Sequence, residues 1–484
     1  MDLIKQLDRI FCPRTIAVIG ASANPEKVGF RVLANLLEAG FKGRIYPVNP
    51  GLTDLFGLRV YPSVSTIPGE IDLAMVVIPS ELTIFTMEEC AAREVKGAVL
   101  ISGGFGEVGT EIGSDLQDQL RDIANKGGMK IIGPNTLGLI NPGINLTASF
   151  QYTLSLSKVG NVAVVAQSGG MCIYIVHALT NHNVGISKAM GVGNRCNLDF
   201  GEIVTYLGQD EQTRVIVIYV EGLEQPRLLM DAARQVVRRK PIVAYKGGRN
   251  KGIDKATLSH TGALAGQYEF YRAAFTQAGI IVVDEVTDLI DITKALAFQP
   301  PSNGNRVAIF SVQAGAGIVM ADRCHELGLR LAQFSQATRD RLRQLASPLN
   351  AVDNPVDVAW KSNEFGACRE MLKVALEDDG VDALVVAAVF YDSNMELMRA
   401  VIDIAGNYQK PVTVCLDSPR GAAYAEINAL EEKGIPVYPL PERAVSGLSG
   451  LVGYGEILWT MVAEGVAFEP TVGLHQQRFS RPSP

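Results

Sequence analysis

No stretch of this chain stays apolar for the roughly 18–20 residues that crossing a bilayer requires. Its mean hydropathy of +0.15 is therefore expected to come from buried strands rather than membrane spans. The opening MDLIKQLDRIFCP lacks the apolar core of a secretory signal. Basic residues are not in excess either: 44 Lys and Arg against 51 Asp and Glu leave a net charge of −7. That balance offers no general attraction to nucleic acid or to an anionic membrane. The seven cysteines include no CxxC pair, which argues against a disulfide framework or a zinc site and suits reduced thiols in a cytoplasmic protein. Histidine is scarce, five in all, and His260 has no second histidine or cysteine at ligand spacing. GxSxG is missing, so a Ser-His-Asp hydrolase finds no support.

What is present is a repeated pattern. At 484 residues the chain exceeds one ordinary core, so two to four domains are expected. TIAVIGASA (15–23), NVAVVAQSGGM (161–171) and RVAIFSVQAGAG (306–317) each run from a β-branched strand into a small-residue turn. An amphipathic helical stretch follows each of them. Further apolar strands come next: LAMVVIP (73–79), VIVIYVEG (215–222) and ALVVAAVFYD (383–392). A later one recurs as MKIIGPN (129–135), KPIVAYKGG (240–248) and KPVTVCLDS (410–417). Alternating strands and helices with continuously apolar strands imply parallel sheets covered on both faces. The fold class is α/β, with three doubly wound domains expected at 1–145, 146–300 and 301–467, and an irregular tail at 468–484.

The first domain has the form of a nucleotide site. Gly20-Ala21-Ser22 ends a strand and leads into a helix opened by Gly29, which presents backbone N–H groups to a phosphate. GxGxxG is absent. The second strand ends Val48-Asn49-Pro50, where an NAD site places an acid for the ribose hydroxyl. A nucleotide with a phosphorylated ribose suits this edge better, with Lys27, Arg31 and Lys42 near in sequence to offset its charge. Three more turns fall beyond strand ends: Pro79-Ser80, Ser102-Gly103-Gly104 and the Gly-Pro turn before Asn135. Asn135 can equally be satisfying backbone groups in its own turn.

GAS (20–22), PVNP (47–50), SGGFGE (102–107), GPNTLG (133–138), QSGG (167–170), YVEGLE (219–224), KGGR (246–249), SHTGALAG (259–266) and NPVD (354–357) stand in a recognisable order. Together they resemble the nucleoside-diphosphate-forming acyl-CoA synthetases, and within them the α subunit of the ADP-forming acetyl-CoA synthetase type. The resemblance implies a Rossmann-like first domain binding CoA and flavodoxin-like domains after it. It makes His260 a phosphoryl carrier, with Glu221 orienting and stabilising its ring and Glu224 as the competing candidate. Gln167, Ser168, Gly169 and Gly170 become the site for phosphate and the acyl carboxylate. ATP or ADP with Mg²⁺ is expected on a separate ATP-grasp β subunit, in a heterotetramer. Two departures stand out: SVQAGAG (311–317) where relatives carry an Asn and a Gly-Gly-Pro-Gly turn, and QSGGM (167–171) after its first glycine.

The chemistry gives such a histidine a reason. A carboxylate resists direct attack by a thiol, and an acyl phosphate does not. A neutral imidazole can carry the phosphoryl group between separate sites, and glycines around it grant local freedom. The residues alone leave His260 open between a carrier and a capping or core histidine. The expected reaction joins a small carboxylic acid and CoA at the expense of ATP. The alternatives are a silent CoA-binding scaffold or sensor, and a dinucleotide-dependent oxidoreductase.

Overall fold

The computed structural model describes residues 2–249, 268–390, 395–419 and 421–463. His260 and the tail 468–484 lie outside the described residues. The chain forms two compact units, residues 1–233 with 242–290, and residues 234–241 with 291–484.

Besides a two-stranded ribbon, Asp54–Leu55 with Leu58–Arg59, the described residues of the first unit form two sheets. In the first, β1 (Thr15–Ile19), β2 (Arg44–Val48), β3 (Leu73–Val76), β4 (Gly97–Leu100) and β5 (Lys130–Ile132) run parallel in the order β2-β1-β3-β4-β5. Nearly every residue of β1, β3 and β4 is buried, as both-face coverage by helices requires. One cover is α1 (Val28–Glu38), whose buried Gly29, Val32, Leu33 and Leu36 form a single stripe at helical spacing. Gly29 is obligatory there: a Cβ would stand 2.0 Å from the Gly20 carbonyl oxygen.

The second sheet contains β6 (Gly138–Asn141), β7 (Leu146–Ser149), β8 (Val159–Ala166), β9 (Ile186–Gly191), β10 (Val215–Val220), β11 (Ile242–Lys246) and β12 (Ile281–Val283). Its order is β12-β11-β10-β8-β9-β6-β7, with β6 and β7 joining antiparallel at one edge. The chain thus crosses to the second sheet between Ile132 and Gly138, ahead of the boundary expected after residue 145. The Asn35 amide binds the Ser149 carbonyl at 2.7 Å, fastening α1 to that edge.

The second unit contains one further sheet: β13 (Arg306–Ser311), β14 (Arg330–Leu331), β15 (Val356–Asp357), β16 (Ala383–Val389), β17 (Val412–Asp417) and β18 (Val437–Tyr438). The order β14-β13-β16-β17-β18, with β15 beside β13, again reverses direction next to the first strand. All three sheets therefore place a crevice at the carboxyl ends of two neighbouring strands, where open α/β sheets bind ligands.

A candidate active site at two carboxyl edges

In the second sheet the strand order reverses between β8 and β10, which pair directly. Gln167 and Glu221 are the first residues beyond those two strands, so the crevice is built between them. The Gln167 Oε1 accepts the backbone N–H groups of Glu221 at 2.8 Å and Gly222 at 3.0 Å. Gly222 is held from its other side by Arg195, whose Nη1 donates to its carbonyl at 2.6 Å. Tyr219 hydrogen-bonds the Glu221 side chain, and burial together with that carboxylate pushes the phenol well up. The phenol stays protonated and donates. Gly247 lies over the pair: a Cβ there would meet the Tyr219 hydroxyl at 2.6 Å. Glu221 is buried and fixed at backbone and side chain alike, whereas Glu224 is exposed.

Gln167 has a structural task beside the phosphate binding expected of it. Its amide oxygen supports the Glu221 turn, which leaves only its NH₂ for an anion. Ser168 caps α2 (Gly169–Asn181), its hydroxyl oxygen accepting from the Met171 N–H at 3.4 Å. The Ser168 O–H and the first-turn amides of Gly169 and Gly170 remain as donors at the positive helix end.

The turns expected to bind CoA gather at the carboxyl edge of the first sheet. Gly20, at φ +93°, sits at the order reversal; a Cβ would come 2.8 Å from Ile78 and 2.9 Å from the Val77 carbonyl. Ala21 is tied to Asn49, whose amide donates to the Ala21 carbonyl at 2.7 Å. The same side chain accepts from Gly51 beyond Pro50, and Ser22 accepts from Asn24. Ser102 donates to the Ile78 carbonyl at 2.5 Å, next to Pro79 and Ser80. Ser80 in turn occupies the space a Cβ on Gly104 would need. Asn135, at φ +57°, donates its N–H to the Ser102 carbonyl at 2.9 Å, and its side chain lies near Gly103. Lys27 adjoins the Gly20 side through α1. Lys42 does not: it precedes β2, beside Arg14 and Arg44 at the amino edge.

A residue pair that sequence reading missed joins the two edges. Gly193, Asn194 and Arg195 form a turn after β9, with Gly193 and Arg195 both at positive φ. A Cβ on Gly193 would collide with the Pro134 carbonyl at 2.2 Å. Asn194 donates to Glu107 at 2.5 Å and Gln117 at 2.9 Å. Glu107 itself accepts from the Gly104 N–H at 2.6 Å. Hydrogen bonds and one backbone turn therefore run from Gly104, through Glu107, Asn194 and Arg195, to Gly222. The hint in sequence was GVGNR directly after the segment ISKAM.

Between these edges lies a cavity of about 390 Å³. Asn135, Thr136 and Leu137 border it from one side, and Gln167, Ser168, Gly169 and Gly170 from the other. Ile101, Phe150, Ile173, Gly193 and Asn194 complete its described lining. At the far end of β11, the Arg249 guanidinium reaches Asp284 at 3.2 Å, lies over the Tyr268 ring, and Tyr268 donates to the same carboxylate.

Three family models match: a CoA binding domain over residues 14–142, a succinyl-CoA ligase like flavodoxin domain over 159–296, and a ligase-CoA domain over 307–447. The α subunit of ADP-forming acetate–CoA ligase II of Pyrococcus furiosus is 37% identical over 454 residues, covering 92% of this chain and 97% of that protein. The ADP-forming acetate–CoA ligase II of Archaeoglobus fulgidus is 36% identical over 94% of this chain, which spans 68% of that longer protein. Among solved structures, acetyl-coenzyme A synthetase 1 of Ca. Korarchaeum cryptofilum, in complex with phosphate and ADP, matches with a TM-score of 0.87. It is 33% identical, with 96% of this chain and 99% of that chain covered.

Proposed function

Because the chain belongs to the family of ADP-forming acetate–CoA ligases, we propose that it is the CoA-binding, phosphohistidine-bearing subunit of an acyl-CoA synthetase. The net reaction is acid, CoA and ATP to acyl-CoA, ADP and phosphate. Kinship with a separate α subunit supports a partner, an ATP-grasp β subunit on which Mg²⁺ accompanies ATP. A cytoplasmic setting suits seven cysteines that are all free thiols. Among the described residues no helix is long and apolar enough to cross a membrane.

One observation carries the reading: Gln167, which holds the Glu221 turn, and the Ser168-Gly169-Gly170 helix end border the same cavity as the Asn135 turn of the first sheet. The residues present suit CoA on that first sheet. Backbone turns converge at the order reversal, and Asn49 takes the place where a dinucleotide enzyme keeps an acid. His260 takes the γ-phosphoryl group of ATP on a ring nitrogen, releasing ADP. Glu221 accepts the other ring N–H, which fixes the tautomer and stabilises the cationic phosphoimidazole. The substrate carboxylate oxygen attacks phosphorus and frees the imidazole. The thiol of CoA, losing its proton, then attacks the acyl carbon and expels phosphate. The Gly169 and Gly170 amides and the Ser168 hydroxyl stabilise the charge on the phosphoryl oxygens.

The test is incubation of the chain with its ATP-grasp partner and γ-labelled ATP. Acid-labile, base-stable label is expected on the wild type and none on His260→Ala; label persisting on that variant removes the histidine from the mechanism. CoA, and not NAD, is expected to raise the melting temperature of the isolated chain. The reverse result supports the redox alternative.

A further inference from the structure

In the strand β10, which reads VIVIYV, Tyr219 alone carries a polar side-chain atom. Its place is set by register. Residues two apart in a strand share a face, so Tyr219 stands on the same side as Glu221, the first residue beyond β10. Across the ladder Tyr219 pairs with Tyr245 of β11. The two rings stack with centroids 5.7 Å apart and planes 7° from parallel, the offset arrangement that aromatic pairs favour. The Arg249 guanidinium lies over the Tyr245 ring, 5.4 Å from its centre. Strand and stack together fix where the Tyr219 hydroxyl can be.

That hydroxyl hydrogen-bonds the Glu221 carboxylate, and burial with the same carboxylate pushes the phenol up, so it donates. The Tyr219 carbonyl also accepts from the Gln167 N–H at 3.0 Å. Gln167 in turn holds the backbone of Glu221 and Gly222. These backbone bonds fix the root of the glutamate but not the plane of its carboxylate, because the last torsion of a glutamate side chain is broad. A hydrogen bond to the carboxylate sets that plane. The neighbouring strand is shaped for the same contact. Gly247, one residue past β11, is buried. A Cβ there would stand 2.6 Å from the Tyr219 hydroxyl and 3.5 Å from the Glu221 Cγ. Any side chain at this position would wedge into the pair.

Resting on the phosphohistidine reading above, we propose that Tyr219 is a positioning residue for the phosphoryl transfer. Its hydroxyl fixes the plane in which the Glu221 carboxylate accepts the imidazole N–H, and residue 247 is glycine to leave that hydroxyl its place.

The chain with its ATP-grasp partner and γ-labelled ATP tests this, with label on the chain followed through a single turnover. Tyr219→Phe, which removes one oxygen, is expected to slow labelling about 10-fold or more, as loss of an outer partner of a functional group commonly does. The KM for CoA in thioester synthesis from acetate is expected to keep its wild-type value, because CoA is assigned to the first sheet. Gly247→Ala, with the hydroxyl still present, is expected to slow labelling to a similar degree. Both losses come from one contact, so the double variant is expected to be little slower than either single one. A merely structural hydroxyl lowers the melting temperature and leaves the labelling rate of the folded chain alone. Unaltered labelling in Tyr219→Phe, a KM for CoA that rises as labelling falls, or losses that multiply in the double variant overturn the proposal. Wild-type label with an indifferent Tyr219→Phe sinks only the positioning role, whereas no label on the wild type sinks the carrier reading with it.

Discussion

Gln167 puts two backbone amides on one side-chain oxygen, and both of those amides are buried with the Glu221 turn. Replacing it by leucine keeps the volume but removes the acceptor. Leaving a buried donor unmade costs about 1–3 kcal/mol, so Gln167→Leu is expected to lower the urea midpoint by that order and to depress phosphohistidine formation. Gln167→Glu retains an acceptor oxygen and is expected to recover much of the stability. A leucine variant as stable as wild type refutes this role. Residues such as this one mark where sequence reading stops. The place of Gln167 after an apolar strand was legible; that its amide oxygen holds the backbone of the Glu221 turn was not, because two strands distant in sequence had to meet first. Lys42 shows the same limit in reverse, since nearness in sequence to Gly20 hid a whole strand length between opposite sheet edges.

The strand–turn–helix unit is the scale at which the sequence is most transparent. Parallel strands buried on both faces must be apolar along their length, so β1, β10, β13 and β16 fall inside the expected runs and β8 begins two residues ahead of its own. The antiparallel pair β6 and β7 was not visible as such: β6 falls in the expected first domain and β7 at the start of the second, yet both pair into the second sheet. Within α2 the departure from the common family form falls at Gly170. A Cβ added there would find nothing nearer than the Ser168 hydroxyl at 3.9 Å. Alanine is therefore accommodated, and removing a glycine from a helix gains about 0.5–1 kcal/mol. Gly170→Ala is expected to raise the melting temperature of the chain while trimming the cavity it borders. A fall in melting temperature would mean that the backbone at Gly170 is strained in some other way.

Over the whole molecule, the thiols report how tightly both units close. Burial raises Cys90, Cys172, Cys196, Cys324, Cys368 and Cys415 to about 12, against an ordinary value of 9.0. Cys12 is half-buried and raised, chiefly by burial as well. Near neutral pH an aromatic disulfide reagent is expected to find at most Cys12 in the native chain, and all seven thiols once denaturant is added. Since the unfolded thiols ionise first, their contribution to stability is intact below about pH 9 and declines as pH climbs toward 12. Rapid native labelling of more than one thiol contradicts the buried assignment. A different consequence follows from the Asp284 carboxylate, which clasps Arg249 and Tyr268 together. Two points 19 positions apart in the chain share a single fastening, so Asp284→Ala is expected to lower the melting temperature more than Tyr268→Phe, which removes one of its two partners.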